Sequence, residues 1–390
     1  MSAGAAAGAG VDPLALAEAL IACPSVTPED AGAQRVLAAF LAPLGFTLTP
    51  LRFGAVENLF ARHGRGRPHL CFAGHTDVVP PGAATWAADP FTPTVRAGVL
   101  YGRGACDMKG AIAAFAAACA GFLAGGGGGR GSISLLITGD EEGLALDGTR
   151  RVLDWLRSAG ELPDFCLVGE PTNPARLGET IKIGRRGSLN LHVVAEGRQG
   201  HVAYPERAEN PLHPLLAALA ELASTPLDAG TAHFAPSSLQ ITSVDVGNPT
   251  ANLIPARAEA RLNIRFNDAH TAAALEARVR GVLARHLPRF TLEPSPPAEA
   301  FVTAPGAEIA LLCAVIEAET GLTPRLDTGG GTSDARFLAP HCPVAEFGLV
   351  GASMHQVDEC VPLADLRRLA AIYRAFLAAY FAPPARAPGR

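Results

Sequence analysis

The chain has 390 residues, of which 48% are hydrophobic, and it carries a formal net charge of −5 with a pI near 6.1. This length favours two domains over one, and the mildly acidic balance argues against a nucleic-acid partner. No run of 18 uninterrupted apolar residues occurs, so no membrane span is expected.

The N-terminus and the cysteines predict a cytoplasmic location. Residues 1–10 lack the basic and apolar regions of a signal peptide, which predicts a disordered tail instead. The eight cysteines include no Cys-x-x-Cys pair, and several lie within apolar runs. They are typical of reduced core residues in a cytoplasmic protein rather than of a disulfide frame or a thiolate metal site.

The first part of the chain alternates predicted helices and predicted buried strands. Apolar residues at helical spacing predict helices at 13–22, 31–41 and 111–124. Short apolar runs, mostly bounded by glycine, predict strands at 58–62, 70–73, 133–138 and 165–168. This order is typical of an α/β domain.

Three of these strands end in glycine followed by a histidine or an acidic residue. His75 and Asp77 follow the strand at 70–73, Glu141 and Glu142 follow that at 133–138, and Glu170 follows that at 165–168. Open α/β sheets bind ligands at the carboxyl ends of their strands. We therefore expect these side chains to converge at one edge of the sheet.

Asp107 and His355 extend this set of candidate ligands. Asp107 follows Gly102-x-Gly104, which lacks the third glycine and the later acidic residue of a dinucleotide-binding turn. Imidazole and carboxylate ligands without thiolates suit zinc, or cobalt and manganese less tightly. Two histidines and three carboxylates can hold two metals that share one carboxylate, which predicts a dinuclear metallohydrolase. Asp77 is then free to orient His75, and one glutamate remains as a base.

A second pattern begins near residue 187. Strand-like segments at 189–195, 238–246, 258–266 and 290–292 are interleaved with predicted helices at 211–223 and 272–286. Further on, α/β character returns with a helix at 307–320, a strand at 344–347 and a helix at 363–381. We therefore predict a discontinuous catalytic domain over 1–184 and 300–390, with a smaller α+β domain inserted at 185–299.

At these positions the chain resembles the M20 family of zinc amidohydrolases and exopeptidases. The matching motifs are Gly74-His75-Thr76-Asp77, Gly102-Arg103-Gly104-Ala105-Cys106-Asp107-Met108-Lys109-Gly110, Gly139-Asp140-Glu141-Glu142-Gly143 and Gly169-Glu170-Pro171-Thr172. The resemblance implies an α/β fold, with a zinc-exopeptidase-like catalytic domain of mixed sheet and flanking helices. It also implies that the inserted domain mediates a homodimer.

The resemblance further implies two zinc ions per subunit, for which cobalt or manganese could substitute. His75 and Glu170 would hold one ion, Glu142 and His355 the other, and Asp107 would bridge them. The peptide bond after Asp107 is expected to be cis.

The remaining roles implied by the resemblance concern catalysis and substrate binding. Asp77 would brace His75, Glu141 would act as general base, and His201 would reach the partner subunit's site to stabilise the oxyanion. The positions expected to contact substrate are Arg185, Ser188, Tyr204, Asn252, Arg265, Gly331 and Thr332.

Within the family, the likeness is greatest to members that hydrolyse the amide bond of N-succinyl-LL-2,6-diaminopimelate. It rests on residues 182–188, 199–205, 329–337 and 355–359. Arginines suit this carboxylate-rich small molecule, because guanidinium binds carboxylates bidentately. The alternative is another amidohydrolase of the family, such as an acetylornithine deacetylase or an aminoacylase. A more distant alternative is a non-catalytic metal-binding or interaction protein.

Overall fold

The computed structural model describes residues 11–383, which form two compact units. The first unit runs to Ile183 and resumes over Thr303–Asp327 and from Ser333 onward. The second unit comprises Gly184–Val302 and the short segment Thr328–Thr332. The chain therefore leaves the first unit twice, at residue 184 and at residue 328, and returns to it each time.

The elements up to Ile183 belong to the first unit. The helices are α1 (Leu14–Ile21), α2 (Ala33–Leu41), α3 (Lys109–Ala124) and α4 (Thr149–Ala159). The strands are β1 (Thr47–Phe53), β2 (Val56–His63), β3 (His69–His75), β4 (Thr94–Arg96), β5 (Val99–Tyr101), β6 (Ser132–Thr138), β7 (Phe165–Val168) and β8 (Thr180–Lys182). Single 3₁₀ turns lie at Ala42–Leu44 and Gly127–Gly129.

The inserted part contributes two helices and a group of strands, with a 3₁₀ turn at Pro205–Arg207. The strands are β9 (Gly184–Arg185), β10 (Gly187–Glu196), β11 (Gly200–His201), β12 (Ser238–Asp245), β13 (Leu253–Ile254), β14 (Arg257–Phe266), β15 (Phe290–Pro294) and β16 (Phe301–Val302). The helices are α5 (Leu212–Ser224) and α6 (Ala272–His286).

The last part of the chain completes the first unit. Its helices are α7 (Ala307–Thr320), α8 (Ala335–Leu338) and α9 (Leu363–Tyr380), and its strands are β17 (Arg325–Asp327), β18 (Val344–Glu346) and β19 (Cys360–Pro362). No helix within residues 11–383 is both long enough and apolar enough to cross a membrane.

Among the described residues, the first unit is built on a mixed sheet with strand order β1-β2-β6-β3-β7-β18-β8-β17. The central strands β6, β3, β7 and β18 are parallel, whereas β1 and β2 run antiparallel to their neighbours. Every residue of β3, β6 and β7 is buried, as expected for parallel strands covered on both faces. A small separate sheet has the order β19-β5-β4.

Helices α3 and α9 cover one face of this sheet. Helix α3 is apolar almost all round and is buried over most of its length, because α1, α9 and the sheet pack against it. Its Phe115 stacks on Phe72 of β3 with ring centroids 4.2 Å apart, and Tyr373 of α9 meets both rings edge-on. This packing fixes the strand that ends at His75.

The second unit has a four-stranded antiparallel sheet of order β12-β14-β10-β15. Along β14, buried residues alternate with half-buried or exposed ones. Helices α5 and α6 cover the apolar face, and their leucines and valines join those of the sheet in one core. The predicted fold class, a mixed sheet with flanking helices and a smaller α+β part, is confirmed.

Candidate metal centre

The end of strand β3 delivers His75 to the carboxyl edge of the sheet. Its side chain is 1% exposed, and Nδ1 lies 2.8 Å from the backbone carbonyl oxygen of Asp77. Because a carbonyl can only accept, Nδ1 carries the proton and Nε2 faces the other way. That Nε2 lies 3.2 Å from Asp107 Oδ1 and 3.7 Å from Glu170 Oε1.

Asp77 braces His75 through its backbone carbonyl, while its carboxylate has a different neighbour. The backbone N–H groups of Glu141 and Glu142 donate to the Asp77 carboxylate at 3.3 and 3.0 Å. The nearest carboxylate oxygen of Asp77 lies 3.6 Å from His75 Nδ1. Asp77 therefore holds the acidic loop after β6 beside the histidine that ends β3.

Asp107 lies between the two histidines. Its Oδ1 faces His75, and its Oδ2 lies 3.2 Å from His355 Nε2. His355 Nε2 also lies 2.8 Å from Glu142 Oε1. The Asp107–Met108 peptide bond is cis, which confirms that expectation.

This arrangement produces three groups of potential metal ligands. Within each group, the ligand atoms all lie within 4.8 Å of one another. One consists of His75, Asp107 and Glu170, and another of Asp107, Glu142 and His355. The third consists of His75, Glu141 and Glu142. The first two share Asp107, so one carboxylate with two oxygens can face two ions at once.

The charges of the cluster are unbalanced in favour of the carboxylates. Burial opposes protonation of His75, but its hydrogen bond to Asp107 and the nearby charges of Glu170 and Glu141 raise its pKa well above the usual range. Hydrogen bonds to Asp107 and Glu142 raise the pKa of His355 to about 10. The carboxylates around the two imidazoles thus carry more negative charge than the two imidazoles could neutralise.

Two of the carboxylates, those of Glu141 and Glu170, show the same imbalance. Burial, followed by the charges of Asp334, Glu142 and Asp107, raises the pKa of Glu141 to about 8, although His75 acts in the opposite direction. Burial and the neighbouring acidic groups also raise the pKa of Glu170 well above its usual range. Cations that entered a partly buried cluster of this kind would be stabilised by its excess of negative charge. Its imidazole nitrogens and carboxylate oxygens are the ligands that zinc prefers, so the residues fit a dinuclear site.

Asp334 belongs to this environment, although no role was predicted for it. It is buried, and burial raises its pKa to about 6. It follows the run Gly329-Gly330-Gly331-Thr332-Ser333. An acidic residue directly after such a glycine-rich loop is the sequence signal that could have identified it.

The other predicted site residues lie in the second unit and form two groups there. Arg185 on β9 is buried and donates from Nη1 to the carbonyl oxygen of Gly331 at 3.2 Å, and Thr332 is the next residue along that segment. Ser188 and Arg265 face each other across β10 and β14.

The second group surrounds the short strand β11. His201 is exposed and pairs with Leu253 of β13, and its Nδ1 accepts the N–H of Ala203 at 3.0 Å. The ring of Tyr204 lies 5.9 Å from that of His201, and its side chain is 51% exposed. The carbonyl oxygen of Asn252 accepts the N–H of Val202, which ties the neighbouring loop to this strand.

Residues 71–379, most of the chain, match the sequence pattern described as Peptidase family M20/M25/M40. The chain belongs to this family. The predicted membership is confirmed, and it identifies the chain as a hydrolase. The M20 chain is 61% identical over 368 residues to the succinyl-diaminopimelate desuccinylase of Gluconacetobacter diazotrophicus, covering 93% of this chain and 96% of the relative. It is 62% identical over 362 residues to the enzyme of that name from Acidiphilium cryptum, again covering 93% and 96%.

Solved structures of more distant proteins share the fold of this M20 chain. An M20 family metallo-carboxypeptidase from Sulfolobus solfataricus superposes with a TM-score of 0.76 at 15% identity, covering 95% of this chain and 99% of that one. The aminopeptidase PepT from Bacillus cereus gives a TM-score of 0.76 at 19% identity, covering 94% and 98%. At these identities the likeness supports the fold alone.

Proposed function

We propose that this chain hydrolyses the amide bond of N-succinyl-LL-2,6-diaminopimelate, releasing succinate and LL-2,6-diaminopimelate for diaminopimelate and lysine biosynthesis. The observation that carries the proposal is the 61–62% identity, over 93% of the chain, to relatives named for this reaction. The two ligand groups that share Asp107 support the proposal, because metals held there would serve such an amide hydrolysis.

Two zinc ions are proposed as the metals, with cobalt or manganese as possible substitutes. His75 and Glu170 would hold one, Glu142 and His355 the other, and Asp107 would bridge both. Bound zinc supplies Lewis acidity, which polarises a carbonyl group and lowers the pKa of water.

The proposed general base is Glu141, whose carboxylate would take a proton from the attacking water and pass it to the leaving amine. The cations would oppose the rise in its pKa that burial and the neighbouring acids cause, and so would keep it ionised. Asp77 would hold the backbone of Glu141 in place through the hydrogen bond already described. His201 of the partner subunit would donate to the oxyanion that forms on the amide oxygen.

The second unit is proposed to recognise the substrate and to form the dimer. Arg185 and Arg265 would pair with substrate carboxylates, assisted by Ser188, Tyr204, Asn252, Gly331 and Thr332. Strand β12 is at the edge of its sheet in the described chain, and Val244 on it and Leu216 on α5 are 42% and 53% exposed. An edge strand with exposed apolar neighbours favours pairing with a second copy.

The proposed surroundings of the enzyme are cytoplasmic. Eight free cysteines, five of them buried, suit a reducing compartment. The net charge of −5 supports a small-molecule substrate rather than a nucleic acid, and neither a nucleic-acid nor a membrane partner is proposed.

The test compares kcat/KM for N-succinyl-LL-2,6-diaminopimelate and for N-acetylornithine on one purified sample whose metal content is measured. The proposal predicts a clear preference for the succinylated substrate. A preference for N-acetylornithine would contradict this proposal and would indicate that the chain is a deacetylase of the same family. Hydrolysis of neither substrate by the metal-loaded chain would contradict the proposed reaction altogether.

A further inference from the structure

The carboxylate of Glu359 is fully buried and accepts four hydrogen bonds. Its Oε1 accepts the backbone N–H groups of Cys106 and Asp107 at 2.9 and 3.1 Å. Its Oε2 accepts the backbone N–H of Gly104 at 3.1 Å and Arg103 Nη1 at 2.8 Å. An ionised carboxylate has about four acceptor positions, so all of them are in use.

These contacts join two loops that are far apart in the sequence. Glu359 lies four residues after His355, whereas its donors all belong to the turn 103–107, which ends at Asp107. The backbone carbonyl of Glu359 also accepts the N–H of Gly102 at 2.9 Å. The main chain and the side chain of one residue therefore hold the turn at both ends.

Arg103 supplies the positive charge that this buried carboxylate needs. Its guanidinium also donates to the carbonyl oxygens of Gln356 and Pro80 at 3.3 and 3.4 Å, and it lies 5.0 Å from the centre of the Trp86 ring. The side chain of Arg103 is 2% exposed. The loop before Trp86, the turn 103–107 and the loop 355–359 thus meet at one ion pair.

We propose that Glu359 is a positioning residue for the metal centre, acting through Asp107 and supported by Arg103. The Asp107 carboxylate faces two histidines with one oxygen each, so a small shift of its backbone would displace both oxygens. Glu359 binds the N–H of Asp107 itself and anchors the chain that leads to it. It also follows closely after His355, so one group sets the relative position of a bridging ligand and a terminal ligand. This inference rests on the proposed metal site.

A purely stabilising ion pair is the alternative, because breaking any buried pair destabilises a fold. The two roles differ in what happens to metal binding in a variant that remains folded. Loss of a group that orients metal ligands typically weakens metal binding about 10–100-fold. Loss of an equally buried hydrogen bond away from the turn should lower stability but leave metal affinity unchanged.

The test uses the full chain with Glu359→Gln, which keeps the size of the side chain but replaces one acceptor oxygen by a donor. Tyr373→Phe is the matched control, because the Tyr373 hydroxyl is buried and donates to the carbonyl oxygen of Phe347 at 2.6 Å. Zinc affinity is measured in chelator-buffered zinc, and the cobalt-loaded chains are compared by visible absorption. All samples are first shown to be folded by circular dichroism.

The proposal predicts a 10–100-fold loss of zinc affinity and an altered cobalt spectrum in Glu359→Gln. Tyr373→Phe should show a lower melting temperature with wild-type zinc affinity and spectrum. Wild-type affinity and spectrum in a folded Glu359→Gln chain would overturn the proposal. If that variant does not fold, Glu359→Asp takes its place, because its shorter side chain keeps the charge but cannot reach every donor.

Unchanged metal binding in Glu359→Asp would overturn the proposal equally. Failure of both variants to fold would make Glu359 a determinant of the fold and would also overturn the positioning role. Failure of the wild-type chain to bind two metals would instead count against the proposed function, so the two results are distinguishable.

Discussion

At the scale of single residues, the two glutamates of the acidic loop have different surroundings. Glu142 Oε1 lies 2.8 Å from His355 Nε2, whereas burial, followed by the charges of neighbouring acidic groups, raises the pKa of Glu141 to about 8. Adjacent positions on one loop can therefore serve as a ligand and as a base. The Asp77 carboxylate accepts the backbone N–H groups of both residues, which holds their main chain beside His75.

Replacing Glu141 by glutamine should leave both metals bound and reduce turnover. General acid–base catalysis contributes roughly 10²–10⁴ in rate, so kcat should fall within that range. Metal content and kcat are measured on the same sample, with Glu142→Gln as the matched control. Glu142→Gln should lose metal as well as activity. Near-wild-type turnover in Glu141→Gln would show that another group takes the proton.

Arg185 and Arg265 are predicted to determine substrate preference rather than metal binding. Replacing either by alanine should raise KM for the succinylated substrate strongly, since each would lose a charge-assisted contact with a carboxylate. Arg257→Ala is the control, because Arg257 lies on β14 with Arg265 but pairs with Glu259 at 3.0 Å. An equal loss of bound zinc in the Arg185 or Arg265 variant would indicate misfolding and remove the inference.

At the scale of elements, strand β3 carries titratable groups at both ends. His69 begins the strand and His75 ends it. His69 is buried, with Nε2 2.8 Å from Ser134 Oγ. Burial, together with the positive charges of Arg62 and Arg67, lowers the pKa of His69 to about 4.

The lowered pKa of His69 predicts a loss of stability in mild acid. Between about pH 6.5 and pH 4 the unfolded chain binds a proton at this residue that the folded chain does not. Neutral His69 therefore contributes to the free energy of unfolding by an amount of the order of 3 kcal/mol. This contribution is fully present above about pH 6.5 and is lost as the pH falls to about 4. Urea unfolding of the metal-free chain from pH 7.5 to 4 measures it. His69→Gln should lose less stability over this range than wild type, and parallel curves would contradict the assignment.

Most of the elements that position the metal centre could be predicted from the sequence. Strands β3, β6 and β7 each contain a short apolar run followed by a glycine, which lies within β3 and directly after β6 and β7. This pattern also indicates the convergence of His75, Glu142 and Glu170. Helix α4 was not predicted, although Val152, Leu153 and Leu156 are buried at helical spacing. Strand β1 was also missed, since it is an edge strand that contains Pro50 and none of its residues is buried.

Features that depend on long-range contacts could not be predicted in this way. Asp77 was expected to brace His75, but spacing cannot tell whether the carbonyl or the carboxylate makes the contact. The four donors to Glu359 lie more than 250 residues away from it in the chain. Only the three-dimensional structure brings a carboxylate and these N–H groups together, because no local pattern marks a hydrogen bond of such separation.

At the scale of the whole molecule, the proposed dimer makes each active site depend on two chains. His201 lies on the second unit, and its exposed side chain is available to a partner. Removal of an oxyanion donor typically costs about 10²–10³ in rate, so His201→Ala should retain both zincs but be nearly inactive. The same variant can show from which chain the histidine comes.

Mixing His201→Ala with Glu141→Gln under conditions that exchange subunits should restore activity. In a mixed dimer, the His201→Ala chain keeps its base and receives a histidine from its partner. Random 1:1 exchange should give about a quarter of wild-type activity, because half of the dimers are mixed and each has one complete site. Confirmed exchange without recovery would show that His201 does not act across the interface.

The two groups that share Asp107 are proposed to hold two metals, without which the amide bond is not hydrolysed. The most direct measurement is a zinc titration of the metal-free chain, in which bound zinc and turnover of N-succinyl-LL-2,6-diaminopimelate are followed in the same samples. We expect no turnover without metal, activity that rises as zinc binds, and saturation at two zinc ions per chain. Turnover by the metal-free chain, or zinc binding that produces no hydrolysis, would contradict the proposed metal-dependent hydrolysis.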